Sequence, residues 1–81
     1  MDAKMNILAL GRRIKEQRRA IGRTQEQLAN EAQVDRSYYG AIERGERNVT
    51  FTVLCRLSIA LQCDVGTLTH GLPVPDVVEP D

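Results

Sequence analysis

Apolar residues recur along this chain at intervals of three and four. Between Asn6 and Ile21, residues Ile7, Leu10, Ile14 and Ile21 fall on one stripe when positions are set about 100° apart. The run predicts an amphipathic helix. Arg12, Arg13, Lys15 and Arg19 lie mostly off the stripe and are expected in solvent. Arg18 is the exception, because it sits close to the apolar positions. A guanidinium half-turned toward a core needs a carboxylate, and that partner must come from elsewhere. Gly22 supplies a helix stop.

The next element opens with Thr24-Gln25-Glu26-Gln27, a hydroxyl three residues before a glutamine, which is the capping-box spacing. Leu28, Ala29 and Ala32 then mark a helix of roughly two turns. Gln33-Val34 is a brief turn, and Asp35 caps a third helix from about Arg36 to Arg44, with Gly45 as its C′ residue. Gly40 inside that helix costs about 1 kcal/mol relative to Ala, so it asks for a reason such as close approach of another surface. Asn48-Val49-Thr50 leads into a fourth helix that ends near Gln62. Its inner face holds Val53, Leu54, Leu57, Ala60 and Leu61, with Phe51 at one edge. Asp64 caps a last short helix from Val65 to about His70, and Gly71 stops it. Residues 72–81 carry three prolines and three acids and are expected to be extended and loosely held. No stretch alternates with period two for long enough to form a strand. The pattern predicts an all-α fold of five short helices over residues 1–71, followed by an acidic tail.

The 81 residues allow one domain. With 42% apolar and 27% charged residues, the chain is expected to be globular. So small a core is marginal, which favours a partner subunit or an economical helix bundle. No apolar run reaches the ~18–20 residues of a membrane span, and no signal-peptide pattern is present. A cytoplasmic protein without membrane association is the expectation. Cys55 and Cys63 are eight residues apart, with no CxxC and no His pair, so neither a zinc site nor another metal centre is expected. Cys55 falls within an apolar pattern and reads as a small hydrophobe. His70 is the only imidazole, no Ser–His pairing is in view, and there is no Gly-rich phosphate loop. No cofactor and no catalysis are expected.

Eleven Lys and Arg balance eleven Asp and Glu, which at first argues against a nucleic-acid partner. The average conceals a polarised chain. Residues 1–47 carry a surplus of three positive charges, and residues 48–81 a deficit of three. Residues 1–71 by themselves carry +3. So modest a surplus predicts a shallow salt dependence of any DNA binding.

The second and third helices are short and joined by a turn of three or four residues, the geometry of a helix-turn-helix. Gln25 stands at the exposed start of the first, and Arg36 and Ser37 at the start of the second. Helix N-termini present free N–H groups and a positive dipole end, which suit phosphate. An Arg in the first turn of a groove-lying helix can bond guanine O6 and N7 together. Arg44, Arg47 and Asn48 follow at and beyond the helix end, within reach of a flanking backbone. Any one of these alone is an ordinary solvated residue. Their convergence on one side of a two-helix unit is what points to DNA.

Leu10-Gly11-Arg12-Arg13-Ile14 with Arg18, then Thr24-Gln25-Glu26-Gln27-Leu28-Ala29, then Ile42-Glu43-Arg44-Gly45, resemble the Cro/C1-type (XRE-family) helix-turn-helix domain. The likeness runs on through Leu54, Ala60, Leu61 and Leu68, over about residues 7–71. The run Asp35-Arg36-Ser37-Tyr38 with Ile42 to Asn48 is similar to the controller proteins of restriction–modification systems. The resemblance implies a compact, lambda-repressor-like five-helix domain. It implies a transcriptional regulator that binds a pseudo-palindromic operator in double-stranded DNA as a homodimer and regulates its own restriction–modification operon. An antitoxin or prophage-type repressor that acts with a protein partner through the same fold is the alternative, with the C-terminal tail as a docking segment.

Carried over position by position, the resemblance pairs Arg18 with Glu43 in a partly buried ion pair. It makes Gln25 a phosphate contact beside Thr24, Arg36 and Ser37 base readers, and Arg44, Arg47 and Asn48 contacts beyond them. Gly40 and Ala41 would lie on the groove side, where small residues let the helix sit deep. Tyr38 either touches phosphate or covers the domain. Tyr39 stands where the family usually has Ile or Val, so its hydroxyl must find a partner or lean out. Ile59 replaces a commonly polar residue; it is either an ordinary exposed side chain or, with Val65 and Leu68, part of a dimer patch.

Overall fold

The computed structural model describes residues 4–75. Five helices follow one another: α1 (Lys4–Ala20), α2 (Gln25–Ala32), α3 (Arg36–Glu43), α4 (Phe51–Ala60) and α5 (Val65–Thr69). There is no strand among the described residues. The elements match the predicted ones to within about two residues, because their ends are set locally. Thr24, Asp35, Thr50 and Asp64 each accept a hydrogen bond at their side-chain oxygen from the backbone N–H three residues on. Such a cap contributes about 1 kcal/mol. At α2 the box is complete, with the Thr24 N–H donating back to Gln27 Oε1 at 2.9 Å. Gly22 leaves α1 at a φ of +71°, a left-handed conformation that favours glycine.

One core unites the helices. Ile14 of α1, Leu28, Ala29 and Ala32 of α2, Tyr39 and Ile42 of α3, and Leu54, Leu57 and Ala60 of α4 form it with Leu61 and Leu68. Ile7, Leu10 and Ile21, expected to share the stripe with Ile14, are only half-buried. Gly11 takes their place at the closest approach. A Cβ there would lie 2.3 Å from the Ile42 carbonyl oxygen and 2.8 Å from that of Glu43. Without a side chain, α1 packs directly on the end of α3. That contact brings Arg18, two turns further along α1, up to Glu43.

Two expectations are corrected here. Arg13 is not simply solvated: its guanidinium donates to the carbonyls of Leu68 and His70, where α5 ends. A cation is favourable there because it meets acceptors that have run out of helix. At the start of the predicted tail, the Val74 N–H donates to Asn6 Oδ1 at 2.5 Å. The rest of the predicted tail, 76–81, lies outside the described residues. Leu68 is wholly buried, so it belongs to the core and not to an exposed dimer patch. Near the two ends of α4, Phe51 and Ile59 stand out at 71% and 79% exposure.

Candidate nucleic-acid interface

Helix α3 divides its residues between two surfaces. At about 100° per residue, Tyr39 and Ile42 face the core while Arg36, Ser37, Gly40 and Arg44 share the outward stripe. Arg36 and Ser37 are exposed in the first turn, just after the Asp35 cap. Gly40, itself buried beneath these side chains, is the meeting point of this face. The position a Cβ would occupy lies 2.8 Å from Arg36 Nη1, 3.2 Å from Arg44 Nη1 and 3.8 Å from Gln25 Oε1. Three polar side chains from two helices therefore converge over bare backbone. Ala41, also expected on the groove side, is at the edge of burial with 9% exposure.

Charge on this face is only partly neutralised. Arg36 and Arg47 make no ion pair among the described residues, whereas Arg44 Nε meets Glu46 Oε2 at 3.1 Å. Both members of that pair are more than half exposed, so it is worth little in water and can yield to a stronger anion. The loop after α3 is ordered by Tyr38. Its hydroxyl donates to the Asn48 carbonyl at 3.0 Å, and the Arg47 guanidinium lies 5.3 Å from its ring centroid. A cation over an aromatic face is held by the ring quadrupole. Tyr38 thus splints the segment that presents Arg47 and Asn48. Thr24, by contrast, has its hydroxyl engaged as the α2 cap, accepting from Gln27 N at 3.1 Å.

Beneath the face lies a buried polar cluster. Arg18 donates through Nε to Glu43 Oε2 at 2.7 Å and through Nη2 to Oε1 at 3.2 Å, and through Nη1 to the Arg23 carbonyl at 2.8 Å. This is the ion pair the resemblance implied, with side chains 11% and 2% exposed. Two further donors meet the same carboxylate: Gln25 Nε2 at 2.8 Å and the Tyr39 hydroxyl at 2.5 Å. Burial alone would raise the Glu43 pKa, but the hydrogen bonds from Arg18, Tyr39 and Gln25 outweigh it and hold the carboxyl below its ordinary range. Arg18 is raised, chiefly by its hydrogen bonds to Glu43. Burial pushes the Tyr39 phenol up, and the neighbouring carboxylate adds to the effect.

The sequence pattern flagged Tyr39 as a departure but did not join it to Glu43. The signal was available: Tyr39 and Glu43 are four residues apart, so they share one helix face. Glu46 was also missed, and with it the tempering of the Arg44 charge. No cluster of side chains suited to a metal ion occurs among the described residues. No helix among them is long and apolar enough to cross a membrane.

The profile of the helix-turn-helix family matches residues 14–68, a span that contains the last seven residues of α1, all of α2 to α4 and all but the last residue of α5. Control protein C.SmaI of Serratia marcescens is 47% identical over 45 residues, which are 56% of this chain and 54% of that protein. The match therefore spans about half the length of that curated relative. The crystal structure of the restriction–modification controller protein C.AhdI from Aeromonas hydrophila superposes with a TM-score of 0.77 at 39% identity, covering 79% of this chain and 97% of that one. The biofilm master regulator SinR, solved in complex with DNA, matches with a TM-score of 0.70 at 37% identity, over 73% of this chain and 95% of its own.

Proposed function

The chain belongs to the helix-turn-helix family of DNA-binding regulators, among those resembling restriction–modification controller proteins, and on that premise we propose that it is a cytoplasmic homodimer that binds a pseudo-palindromic operator and regulates its own restriction–modification operon. Its family is one of regulators and not of enzymes. The observation that carries the proposal is the convergence of Arg36, Arg44 and Gln25 over Gly40. A helix with an exposed, unpaired Arg in its first turn and no side chain at its centre can lie deep in the major groove. Arg36 and Ser37 then read base edges. Gln25, Arg44, Arg47 and Asn48 take the phosphates on either side, with Tyr38 holding the latter two in place.

One such module makes few contacts, and useful affinity comes from two. A two-fold dimer sets half-sites about 34 Å apart. The stripe of exposed Phe51 and Ile59 with half-buried Cys55 between them along α4, at intervals of four residues, supplies an apolar surface for it, with half-buried Val65 nearby in sequence. Leu68 supports that side from within the core.

Gel-shift titration of duplexes selected from a randomised pool tests the reading. Arg36→Ala is expected to cost about 1–3 kcal/mol and to relax preference at one base position. Arg47→Ala weakens all sequences alike and lowers the salt slope by roughly one. Normal binding by both variants would put the contact surface elsewhere.

A further inference from the structure

We propose that Tyr39, although wholly buried, is a positioning residue for DNA binding: its hydroxyl acts through the Glu43 carboxylate to hold the Gln25 amide where it meets a phosphate. The inference rests on the reading of Gln25 as a phosphate contact and extends it to a residue that DNA cannot reach.

An ionised carboxylate offers about four acceptor sites, two on each oxygen. Here Oε2 receives Arg18 Nε and the Tyr39 hydroxyl, while Oε1 receives Arg18 Nη2 and Gln25 Nε2. Each site has one donor. The bidentate guanidinium fixes the carboxylate plane and makes its shorter bond to Oε2. Tyr39 occupies the second site on Oε2, which leaves Oε1 as the acceptor for Gln25. The phenol is a dependable donor, because burial and the adjacent carboxylate both keep it protonated.

Gln25 inherits a single orientation from this arrangement. Its amide nitrogen turns inward to Glu43, and its amide oxygen lies near Gly40, 3.8 Å from where a Cβ would stand. One amide N–H remains to donate outward. A side chain already fixed this way loses less freedom when DNA arrives, and an unfixed one must be ordered at that moment. Tyr39 itself is fully enclosed, so any effect of its hydroxyl on DNA affinity is transmitted and not made by contact.

The test uses the full chain and a duplex selected by the wild-type protein from a randomised pool. Four proteins are compared: wild type, Tyr39→Phe, Gln25→Ala and the double variant. Tyr39→Phe is expected to weaken binding about two- to tenfold, the range for one side chain newly ordered on association. In the Gln25→Ala background the same change is expected to have no further effect. In nitrogen-edited NMR spectra of the free protein, the Gln25 side-chain amide shifts in Tyr39→Phe while α4 and α5 amides stay in place. If Gln25→Ala binds as wild type does, the phosphate reading of Gln25 is wrong. If Gln25→Ala weakens binding and Tyr39→Phe adds the same loss in both backgrounds, that reading stands and the role assigned to Tyr39 is overturned. Should Tyr39→Phe not fold, the wild-type spectrum decides, since a freely rotating Gln25 amide overturns the proposal by itself.

Discussion

The two sides of this molecule present opposite surfaces built on one core. On the α2–α3 side the exposed groups are cationic and polar, and behind them stands a buried carboxylate with every acceptor site filled. On the α4 side the exposed large apolar groups are Phe51 and Ile59, interspersed with exposed Thr52 and Arg56, and the buried Ser58 hydroxyl donates to the Leu54 carbonyl within its own helix. The contrast teaches what each surface requires. Recognition of a polar duplex needs side chains held in orientation, which a saturated hydrogen-bond network provides. Apolar association needs area and little orientation, which an exposed helical stripe provides.

The largest expected effect comes from breaking the network. Glu43→Ala strips the partner from a buried guanidinium and leaves the Tyr39 hydroxyl and Gln25 amide unmatched. A loss of about 3–5 kcal/mol in chemical denaturation is expected, as when one member of a buried pair is removed. Acid probes the same group in the intact protein. Because the folded-state Glu43 pKa lies below the ordinary glutamate value of about 4.3, its contribution is complete above that pH. It fades as pH falls through the folded-state value. Asp64, held low by the Thr67 N–H and hydroxyl, contributes to the same acid limb. The urea midpoint should therefore fall with acid in the wild type, and less steeply in Glu43→Ala. An identical slope in the variant would assign the acid limb to other carboxylates.

The opposite surface should separate association from folding. Ile59→Asp is expected to convert dimer to monomer in sedimentation at matched concentration. Its effect on monomer stability should stay within about 0.5 kcal/mol, since Ile59 is 79% exposed. Operator binding falls with the dimer, whereas binding of a half-site is retained. A variant that stays dimeric would remove this stripe from the interface.

The smallest change tests whether the recognition face sacrifices stability for shape. Gly40→Ala removes a helical glycine and should stabilise by up to about 1 kcal/mol. The new methyl meets the ends of Arg36 and Arg44, which are flexible and can move aside. Melting temperature should rise while operator affinity falls. A rise in both would mean that the convergence over Gly40 is not used.

The five helices were readable from the sequence because their signals are local. Each cap oxygen and its N–H lie three residues apart, and each apolar stripe repeats within its own helix. The Arg18–Glu43 pair was readable too, but only through resemblance, for nothing near Arg18 in the chain announces a partner 25 residues away. Arg13 shows the limit from the other side: helical position alone placed it in solvent, and only the packing of α5 on α1 gave it carbonyls to bond. Leu68 shows it again, since a helix of five residues carries too few positions for periodicity to tell core from surface.

What the sequence by itself determined was therefore the set of elements and their order. Those follow from periodicity and capping, which act over three or four residues. Tertiary structure alone decided how Gln25 and Arg18 come to share the carboxylate that Tyr39 meets within α3. They stand on two other helices, and Gly11 lets α1 settle against α3 closely enough for Arg18 to reach it. Which donors from other helices meet at a buried acceptor depends on distances between helices, and no interval along the chain records those.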